Sequence, residues 1–563
     1  MGRARTIANL WQDAVAAAHS DPAYLQEIDG VWCEVTWAEA ARAVDELANG
    51  LLALGIRKGD AFAIVARTSL EWSHFDFALA LVGAVGAPIY ANSSARDVRH
   101  VLEHSEAVGV LVEDDEQRAK VSGVEHVIAF SELAVLRDRG RAFAAEQPRA
   151  LQERAASIDE DDLFTFIYTS GTTGPPKACM IRHRNYYAMV QKGDEMEERL
   201  VESGDVMLLY LPLAHNYGRL LHLSGAYIGY TIAFLRDPML AALELPRVRP
   251  TLFPSVPRVY EKIHTAVVAK FEEETGVRRK LIDWSLRVGY RVSQLRQANE
   301  PVPRGLLAQH KLADKLVYSK VKERLGGRLR VANAGGAPLS RDIAEFFHAI
   351  DILILEGYGL SEVTTAATVN RTHDFKFGTV GKPLPGVEVR IADDGEILLR
   401  SNTVFAGYYR DESATNEVLD GEGFVHTGDV GHFDEDGFLV ITDRKKDILV
   451  TAGGKNVAPQ NLENELKSHR IVSQALVVGD RRPYIAALIT VDPEEMAGKD
   501  VHALVQVAVD SVNAERSRFE QIKRFAILPR EFTLEHDEIT PTLKLKRKVV
   551  LDHFAAEAAA LYD

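Results

Sequence analysis

The stretch LFTFIYTSGTTGPPKACM, Leu163 to Met180, places a loop rich in glycine and hydroxyl groups directly after an apolar run. The uncharged residues 163–168 have the length of a buried strand and are too few for a helix. Residues 169–174 then supply four hydroxyls and flexible backbone before the chain reaches Lys177. Because glycine permits close approach and consecutive N–H groups form a concave nest, this loop predicts a phosphate site. The alternative is a polar surface turn.

This loop differs from the Walker A type of phosphate loop. That motif requires Gly-x-x-x-x-Gly-Lys-Ser/Thr leading straight into a helix. Here Lys177 follows two prolines and precedes Ala178. Kinase-like and GTPase-like interpretations therefore lose their main support.

The whole chain has the composition of a globular protein with more than one domain. Its 563 residues are too many for a single core. The formal charge of −15 argues against a nucleic-acid binder or a polybasic membrane anchor. Only Cys33 and Cys179 are present, which excludes a cysteine-ligated metal and indicates a reducing compartment. Residues 1–15 lack the apolar core of a secretory signal. We therefore expect a cytoplasmic enzyme.

Short apolar runs alternate with helical patterns through the first three quarters of the chain. Examples are residues 61–66, 108–112, 205–211 and 351–356. This alternation predicts βαβ units, and hence a large α/β N-terminal domain with parallel-rich sheets.

The pattern then changes to hairpins, and after them comes a run of charge. Residues 387–400 and 432–442 both read as strand, turn and strand, which predicts a β-rich subdomain. DRKKD, 443–447, places five charged residues in a row between apolar strands. We place the domain break there, with an N-terminal domain of residues 1–443 and a small, mobile α+β C-terminal domain of residues 444–563.

The loop after residue 168 resembles the signature of the adenylate-forming superfamily, which includes acyl-CoA synthetases, luciferases and the adenylation domains of peptide synthetases. Members use ATP to convert a carboxylic acid to acyl-AMP and pyrophosphate, and most then pass the acyl group to a thiol. Four further motifs follow in the family's order, so the resemblance runs from about Leu163 to Lys548. The forms at 255–263, 450–463 and 540–548 look like the long-chain fatty acyl-CoA synthetase branch.

The chemistry of that reaction determines which types of side chain the site needs. A carboxylic acid has a pKa of about 4 to 5, so it is already ionised and needs no general base. The enzyme must hold two anions together, neutralise the triphosphate with cations and Mg²⁺, and align the attack. We therefore expect lysines, hydroxyls, a metal-binding carboxylate and acids that hold the ribose.

The resemblance assigns these functions to residues of this chain. Those implied in ATP binding are Thr169, Ser170, Gly171, Thr172, Thr173, Gly174, Lys177, Gly335, Gly336, Ala337, Glu356, Gly357, Tyr358, Gly359, Ser361, Asp429 and Arg444. Those implied in catalysis are Lys544, Glu362 and His215, and those implied in binding Mg²⁺ are Thr172 and Glu362.

Several of these residues have a specific implied role and an ordinary alternative. Tyr358 would stack on adenine, although a packed core tyrosine gives the same pattern. Asp429 would bind the ribose hydroxyls, or else form an Asx-turn. Arg444 would contact ribose and phosphate, and Lys446 would be the hinge of the C-terminal domain. For both residues the alternative is that the charged run 443–447 is simply solvated. His215 would lie between the acyl and phosphate sites, or be structural.

Lys544 is implied as the cation that bridges the acyl carboxylate and the α-phosphate. A cation between two anions cancels their repulsion, most strongly in a dry site. The usual Gly-Lys pair is absent, so Lys546 stays the second choice; Lys544 is preferred because Arg547 then matches the family's trailing arginine. A further departure is Ala178, where the family usually has glycine, and a positive φ there would be strained.

The sequence therefore predicts an enzyme that uses ATP, Mg²⁺ and coenzyme A to convert a long-chain fatty acid to acyl-CoA. Alternatives are a fatty acyl-AMP ligase that serves a carrier-protein thiol, a synthetase for an aryl or other acid, and a non-enzymatic acyl-binding protein. Nucleic acid is not expected as a partner, whereas a weak peripheral membrane contact and a homodimer are left open. The small residues Ser224, Gly225, Ala226 and Gly229 leave room for an alkyl tunnel or form a closely packed helix.

Overall fold

The computed structural model describes residues 3–17, 19–169, 176–196, 199–493, 500–514, 516–540 and 544–563. The strands are β1 (Tyr24–Ile28), β2 (Val31–Val35), β3 (Ala61–Val65), β4 (Val85–Ile89), β5 (Gly109–Val112), β6 (His126–Ala129), β7 (Leu163–Thr169), β8 (Lys177–Arg182), β9 (Val206–Leu209), β10 (Thr231–Phe234), β11 (Leu252–Ser255), β12 (Val331–Ala334), β13 (Ile354–Tyr358), β14 (Thr368–Val369), β15 (Lys382–Pro383), β16 (Glu388–Ile391), β17 (Glu396–Arg400), β18 (Val425–Phe433), β19 (Leu439–Arg444), β20 (Leu449–Val450), β21 (Asn456–Val457), β22 (Val472–Val478), β23 (Ile485–Val491) and β24 (Ile522–Ile527).

The helices cover both faces of the large sheets. They are α1 (Ile7–Ala16), α2 (Trp37–Ala53), α3 (Leu70–Val82), α4 (Ala95–Ser105), α5 (Asp115–Arg118), α6 (Leu133–Glu146), α7 (Ala150–Ala156), α8 (His183–Glu195), α9 (Asn216–Ile228), α10 (Ala241–Val248), α11 (Pro257–Glu273), α12 (Gly276–Gln297), α13 (Arg304–Ala313), α14 (Ser319–Arg324), α15 (Arg341–Ala349), α16 (Glu412–Val418), α17 (Pro459–Lys467), α18 (Val501–Ala514), α19 (Arg547–His553) and α20 (Ala555–Ala560).

Two parallel-rich sheets form the large domain. One has the strand order β15-β14-β13-β12-β11-β9-β10-β1-β2 and the other β6-β5-β3-β4-β7-β8. Their inner strands are parallel, and antiparallel strands lie only at the edges, as in β7–β8. Strands such as β3 and β4 are buried along their whole length, as expected for sheets covered by helices on both faces.

The predicted hairpins form a separate four-stranded antiparallel sheet, β16-β17-β18-β19, which packs around its own small apolar cluster. The chain after β19 folds as a ribbon, β20–β21, and a three-stranded sheet, β22-β23-β24, with helices packed on it. The predicted fold class is thus confirmed: a large α/β domain with parallel-rich sheets precedes a smaller α+β region. Within the described residues, no helix has both the length and the apolar content to cross a bilayer.

A buried ion pair fixes the helix that leads into the candidate site. Arg219 of α9 and Asp76 of α3 are both fully buried and form a salt bridge. Arg219 Nη1 also donates to Thr165 Oγ1 of β7 at 2.6 Å, and its guanidinium lies 4.5 Å from the Phe164 ring centroid. A buried charge keeps its place only where its partners are satisfied, so these contacts fix α9 relative to β7 and α3.

The small residues of α9 are closely packed. A Cβ on Gly225 would lie 2.5 Å from the Ile232 side chain, and one on Gly229 would lie 2.3 Å from His19. Ala226 is buried. Of the two alternatives that the sequence left open, the structure therefore agrees with the packed helix, and these positions provide no tunnel.

Candidate active site

One cleft of about 4160 Å³ lies between the large domain and the C-terminal region. This volume exceeds that of a typical small-molecule pocket and leaves room for several ligand groups. It is lined by every described residue that the sequence singled out for binding, catalysis or hinge motion: Thr169, Lys177, His215, Gly335, Gly336, Ala337, Glu356, Gly357, Tyr358, Gly359, Ser361, Glu362, Asp429, Arg444, Lys446 and Lys544. Ser170, Gly171, Thr172, Thr173 and Gly174 lie outside the described residues.

Thr169 and Lys177 are neighbours because they pair across the β7–β8 ladder. The loop between them therefore begins and ends at one point on the cleft wall. Lys177 Nζ lies 3.8 Å from Asp411 Oδ2 and 5.3 Å from the centroid of the Tyr408 ring. Ala178 continues the ladder and has no positive φ, so the strain considered for that position does not arise.

The glycines after β12 line the cleft. Gly336 has φ +83°, a conformation that glycine adopts without cost. Position 335 is glycine for a different reason, because a Cβ there would lie 3.2 Å from the Tyr217 ring. The segment is held by Leu339 N, which donates to Glu356 Oε2 at 3.1 Å.

Glu356, at the end of β13, is a buried carboxyl with an unused oxygen. Its Oε1 has no hydrogen-bond partner among the described residues. Burial raises the pKa of Glu356 to about 7, and the bond from Leu339 opposes that rise. Glu356 therefore supports the glycine segment and keeps one buried carboxyl oxygen without a partner among the described residues.

Tyr358, Asp429 and Arg444 form one hydrogen-bonded group. The Tyr358 hydroxyl donates to Asp429 Oδ2 at 2.6 Å, and Arg444 Nε lies 2.8 Å from Asp429 Oδ1. Asp429 and Arg444 also face each other in the β18–β19 ladder. Burial and the charge of Asp429 raise the pKa of Tyr358 well above its ordinary value, so its hydroxyl stays protonated and donates.

Glu362 has a partner that sequence reasoning missed. The Tyr408 hydroxyl donates to Glu362 Oε1 at 2.6 Å, and Phe405 N donates to the Glu362 carbonyl at 2.9 Å. Tyr408 therefore connects Glu362 with Lys177, which lies over its ring. No motif around residue 408 indicates this contact, because the partners are far apart in the chain.

His215 caps the N-terminus of α9 and is neutral. Its Nδ1 accepts from Tyr217 N at 3.1 Å. Burial, and then the positive charge of Lys544, lower the pKa of His215 to about 4. The large domain and the C-terminal region thus bring these two side chains into electrostatic contact.

Lys544 and Lys546 have different surroundings. Lys544 is exposed within the cleft, but the cleft walls remove enough water to lower its pKa. The charge of Arg444 lowers it further, while Asp429 and Glu362 act in the opposite direction. Lys546 instead pairs with Asp537 of its own domain. Arg547 Nη1 lies 2.7 Å from Glu463 Oε1 and is engaged in holding the C-terminal region together.

Lys446 follows Lys445, which is anchored to the β-rich subdomain. Lys445 N donates to the Gly428 carbonyl at 2.8 Å, and Lys445 Nζ lies 2.6 Å from Asp394 Oδ2. Beyond it, Gln460 N donates to Asp443 Oδ2 at 2.9 Å. Burial and Arg444 lower the pKa of Lys446. The connection between the two parts of the chain is therefore short and firmly held on its N-terminal side.

The donors in the cleft suit a weakly coordinated metal. Among the described residues there is no group of three or more His, Cys, Asp or Glu that could hold a metal by itself. Glu362 places a carboxylate in the cleft, next to Lys177 and Tyr408. Mg²⁺ is usually bound through one or two carboxylates together with substrate phosphates and water, so a single acid fits it.

Apolar side chains of α9 and α11 form part of the cleft lining, and we call this part the apolar branch. They are Leu220 and Leu221 of α9 and Val259, Ile263 and Val267 of α11. The α11 residues recur every four positions and so lie on one face of that helix. Charged α11 residues, among them Glu261 and Lys262, also line the cleft.

The chain matches two adjacent family models. The model described as "AMP-binding enzyme" matches residues 11–409, and "AMP-binding enzyme C-terminal domain" matches residues 446–563. The long-chain-fatty-acid–CoA ligase FadD15 of Mycobacterium bovis is 40% identical over 96% of this chain and 94% of its own.

Solved structures share the fold. The adenylation domain of a carboxylate reductase from Mycobacterium chelonae has a TM-score of 0.78 and 23% identity, with 99% of this chain and 91% of that domain covered. O-succinylbenzoate CoA synthetase from Bacillus subtilis, in complex with ATP and a magnesium ion, has a TM-score of 0.68 and 22% identity, with coverages of 96% and 98%.

The electrostatic contact between Lys544 and His215 can be measured directly. Replacing Lys544 with alanine removes a nearby cation that disfavours the imidazolium, so the pKa of His215 will rise. Histidine-selective ¹³C NMR titration, with His215→Gln to assign the resonance, measures it. Lys546→Ala is the matched control and will leave His215 neutral over the same pH range. An unchanged His215 titration in Lys544→Ala would contradict the placement of Lys544 beside it.

Proposed function

Because the chain belongs to the AMP-binding enzyme family, we propose that it is an acid–thiol ligase that converts a long-chain fatty acid to acyl-CoA. The reaction consumes ATP and CoA and produces AMP and pyrophosphate. The observation that carries the proposal is the convergence of Lys177, Arg444 and Lys544 with Glu362 and Asp429 on one cleft that continues into an apolar branch. The 40% identity to a long-chain-fatty-acid–CoA ligase over nearly the whole chain supports the same activity.

The nucleotide would lie across the ends of β12, β13 and β18. Asp429 accepts from the Tyr358 hydroxyl and so anchors this side chain, whose ring would stack on adenine. The backbone of residues 335–337 would lie against the base, and Asp429 and Arg444 would bind ribose and phosphate. Thr169 and Lys177, with the loop between them, would contact the β- and γ-phosphates, as would Ser361.

Charge cancellation drives the first step. The ionised carboxylate attacks the α-phosphorus, the bond to the β-phosphate oxygen breaks, and pyrophosphate leaves. Lys544 would lie between the two anions, and neutral His215 beside it would not add a competing positive charge. Mg²⁺, held by Glu362 and by Thr172, would neutralise phosphate charge when bound.

A rotation of the C-terminal domain would precede the second step. In the structure Lys544 lines the cleft. A rotation would move Lys544 out and leave that position to the thiol. We place the hinge at Lys446, because Lys445 is anchored to the β-rich subdomain. The division into residues 1–443 and 444–563 stays a prediction. The thiol sulfur then bonds to the acyl carbon, and AMP leaves.

The apolar branch supports an alkyl rather than an aryl acid. Its aliphatic side chains on α11, Val259, Ile263 and Val267, extend over about two turns of that helix. A flat aromatic acid would need only the first part of it. Three further expectations, a cytoplasmic location, a homodimer and a weak peripheral membrane contact, stay predictions.

Product analysis across acids tests the proposed function. With ATP, Mg²⁺, palmitate and CoA, we expect equal amounts of palmitoyl-CoA, AMP and pyrophosphate, and in a panel from acetate through benzoate to oleate the highest rates for long chains. AMP without acyl-CoA would favour a ligase that serves a carrier-protein thiol. A preference for benzoate would favour an aryl-acid synthetase, and absence of acid-dependent pyrophosphate release would favour a non-enzymatic acyl-binding protein.

Lys544→Ala separates the two half-reactions. Pyrophosphate release from acid and ATP will fall by about 100-fold or more, the range for losing one preorganised charge-stabilising group. Thioester formation from supplied acyl-AMP will stay within a few-fold of the unmodified protein. Lys546→Ala is the matched control and will retain both activities. Equal loss of the two half-reactions would contradict the role assigned to Lys544.

Lys446→Pro tests the hinge. Proline locks φ and restricts the residue before it, so the thiol step will slow more than adenylation. Single-turnover rates of acyl-AMP formation and of its consumption by CoA measure the two steps. Lys446→Ala removes the side chain but keeps the backbone free and serves as control. If Lys446→Pro slowed both steps equally while Lys446→Ala slowed neither, residue 446 would not control the domain rotation.

A further inference from the structure

The backbone turn that carries Glu362 is strained. Ser361–Val363 form a single 3₁₀ turn, and the two residues that follow, Thr364 and Thr365, have φ of +54° and +95°. A β-branched residue adopts a positive φ only at a cost, and strain of this kind clusters at active sites and ligand-binding loops. The conformation of this turn therefore depends on contacts from elsewhere in the chain.

The stretch of chain between β17 and α16 supplies three of these contacts. Thr364 Oγ1 donates to the Thr403 carbonyl at 2.6 Å, and Phe405 N donates to the Glu362 carbonyl at 2.9 Å. The third contact is the bond from the Tyr408 hydroxyl to Glu362 Oε1 at 2.6 Å. Two of these bonds hold the turn, whereas the third holds the carboxylate itself.

The same stretch pairs with the strand that carries Lys177. Ala406 N donates to the Met180 carbonyl at 2.8 Å, and Met180 N donates to the Gly407 carbonyl at 3.0 Å. The stretch therefore lies against β8, the edge strand of the six-stranded sheet. One piece of backbone thus connects the strand of Lys177 with the turn of Glu362, although the two residues are far apart in the chain.

The side chain of Tyr408 is held from several sides. It is 8% exposed and lines the cleft, and its ring packs edge-on against Phe405 with 5.0 Å between the ring centroids. Tyr408 N donates to Thr415 Oγ1 at 2.9 Å, which fixes the backbone as well. Lys177 Nζ lies 5.3 Å from the Tyr408 ring centroid, within the distance of a cation–π contact.

The direction of the hydrogen bond between Tyr408 and Glu362 follows from burial. Burial, and then the negative charge of Glu362, raise the pKa of Tyr408 well above its ordinary value. The hydroxyl therefore keeps its proton and donates, and the carboxylate accepts. An ordinary packed tyrosine is the alternative, but packing alone requires neither a carboxylate partner in the cleft nor a lysine over the ring.

We propose that Tyr408 is a positioning residue that orients the Glu362 carboxylate for Mg²⁺ and sets its place relative to Lys177. This assignment rests on the proposed function, in which Glu362 binds the metal ion that accompanies ATP. With Oε1 held by the hydroxyl, the carboxylate does not rotate freely, and its other oxygen is left for the cation. Hydrogen bonds to metal-binding side chains raise metal affinity in this way.

Nucleotide binding without acid or CoA tests the assignment. Isothermal titration calorimetry measures three dissociation constants: ATP with Mg²⁺, ATP with EDTA, and AMP with EDTA. Tyr408→Phe keeps the ring and its packing but removes the hydroxyl, so the dissociation constant of ATP with Mg²⁺ will rise about 10-fold. Both constants in EDTA will stay unchanged, because the hydroxyl acts on the metal-binding carboxylate.

Two further variants serve as references. Tyr409→Phe removes a hydroxyl from the next residue, whose ring packs against Phe166 at 4.7 Å, and all three constants will match the unmodified protein. In a Glu362→Gln background, adding Tyr408→Phe will not weaken the binding of ATP with Mg²⁺ further. The two side chains form one contact, so their effects are coupled rather than additive.

The possible outcomes separate this assignment from the proposed function. Tyr408→Phe that binds ATP equally weakly with Mg²⁺ and with EDTA would indicate a structural role and overturn the assignment. Unchanged binding in Mg²⁺, or a further 10-fold loss in the Glu362→Gln background, would also overturn it. If the unmodified protein bound ATP in neither condition, the proposed function would fall, and the assignment with it.

Discussion

The group formed by Tyr358, Asp429 and Arg444 is the constraint on which the rest of the site depends. Tyr358 ends a strand of the nine-stranded sheet, whereas Asp429 and Arg444 face each other in the β18–β19 ladder of the antiparallel subdomain. The Asp429 carboxylate accepts from the other two side chains at 2.6 and 2.8 Å. It therefore ties the antiparallel subdomain to the end of β13 at the cleft.

Charge balance explains why the remaining side chains are lysines and acids rather than nucleophiles. The cleft gathers Lys177, Arg444 and Lys544 from distant parts of the chain around Glu362 and Asp429. A lysine whose pKa is lowered by burial and by Arg444 has lost part of its hydration and gains most when anions arrive. The substrates supply those anions, so binding and catalysis rest on the same cancellation of charge.

One part of the cleft is lined by polar groups and another by apolar side chains. The glycine backbone and the acid–arginine pair suit a nucleotide, whereas Leu220, Leu221 and the α11 stripe give the lining an apolar part. The buried pair of Arg219, on α9, and Asp76, on α3, holds the helix that carries Leu220 and Leu221.

The amino-acid sequence by itself determined the local features. The strand at residues 163–168 and the two hairpins each depend on neighbouring residues, and each lies where it was predicted. Contacts between distant residues needed the tertiary structure. Tyr408 reaches Glu362 across 46 positions. Lys546 pairs with Asp537, whereas the fold brings Lys544 near Arg444 and His215. Periodicity and composition describe a residue's neighbours along the chain, whereas burial and charge depend on what the fold brings beside it.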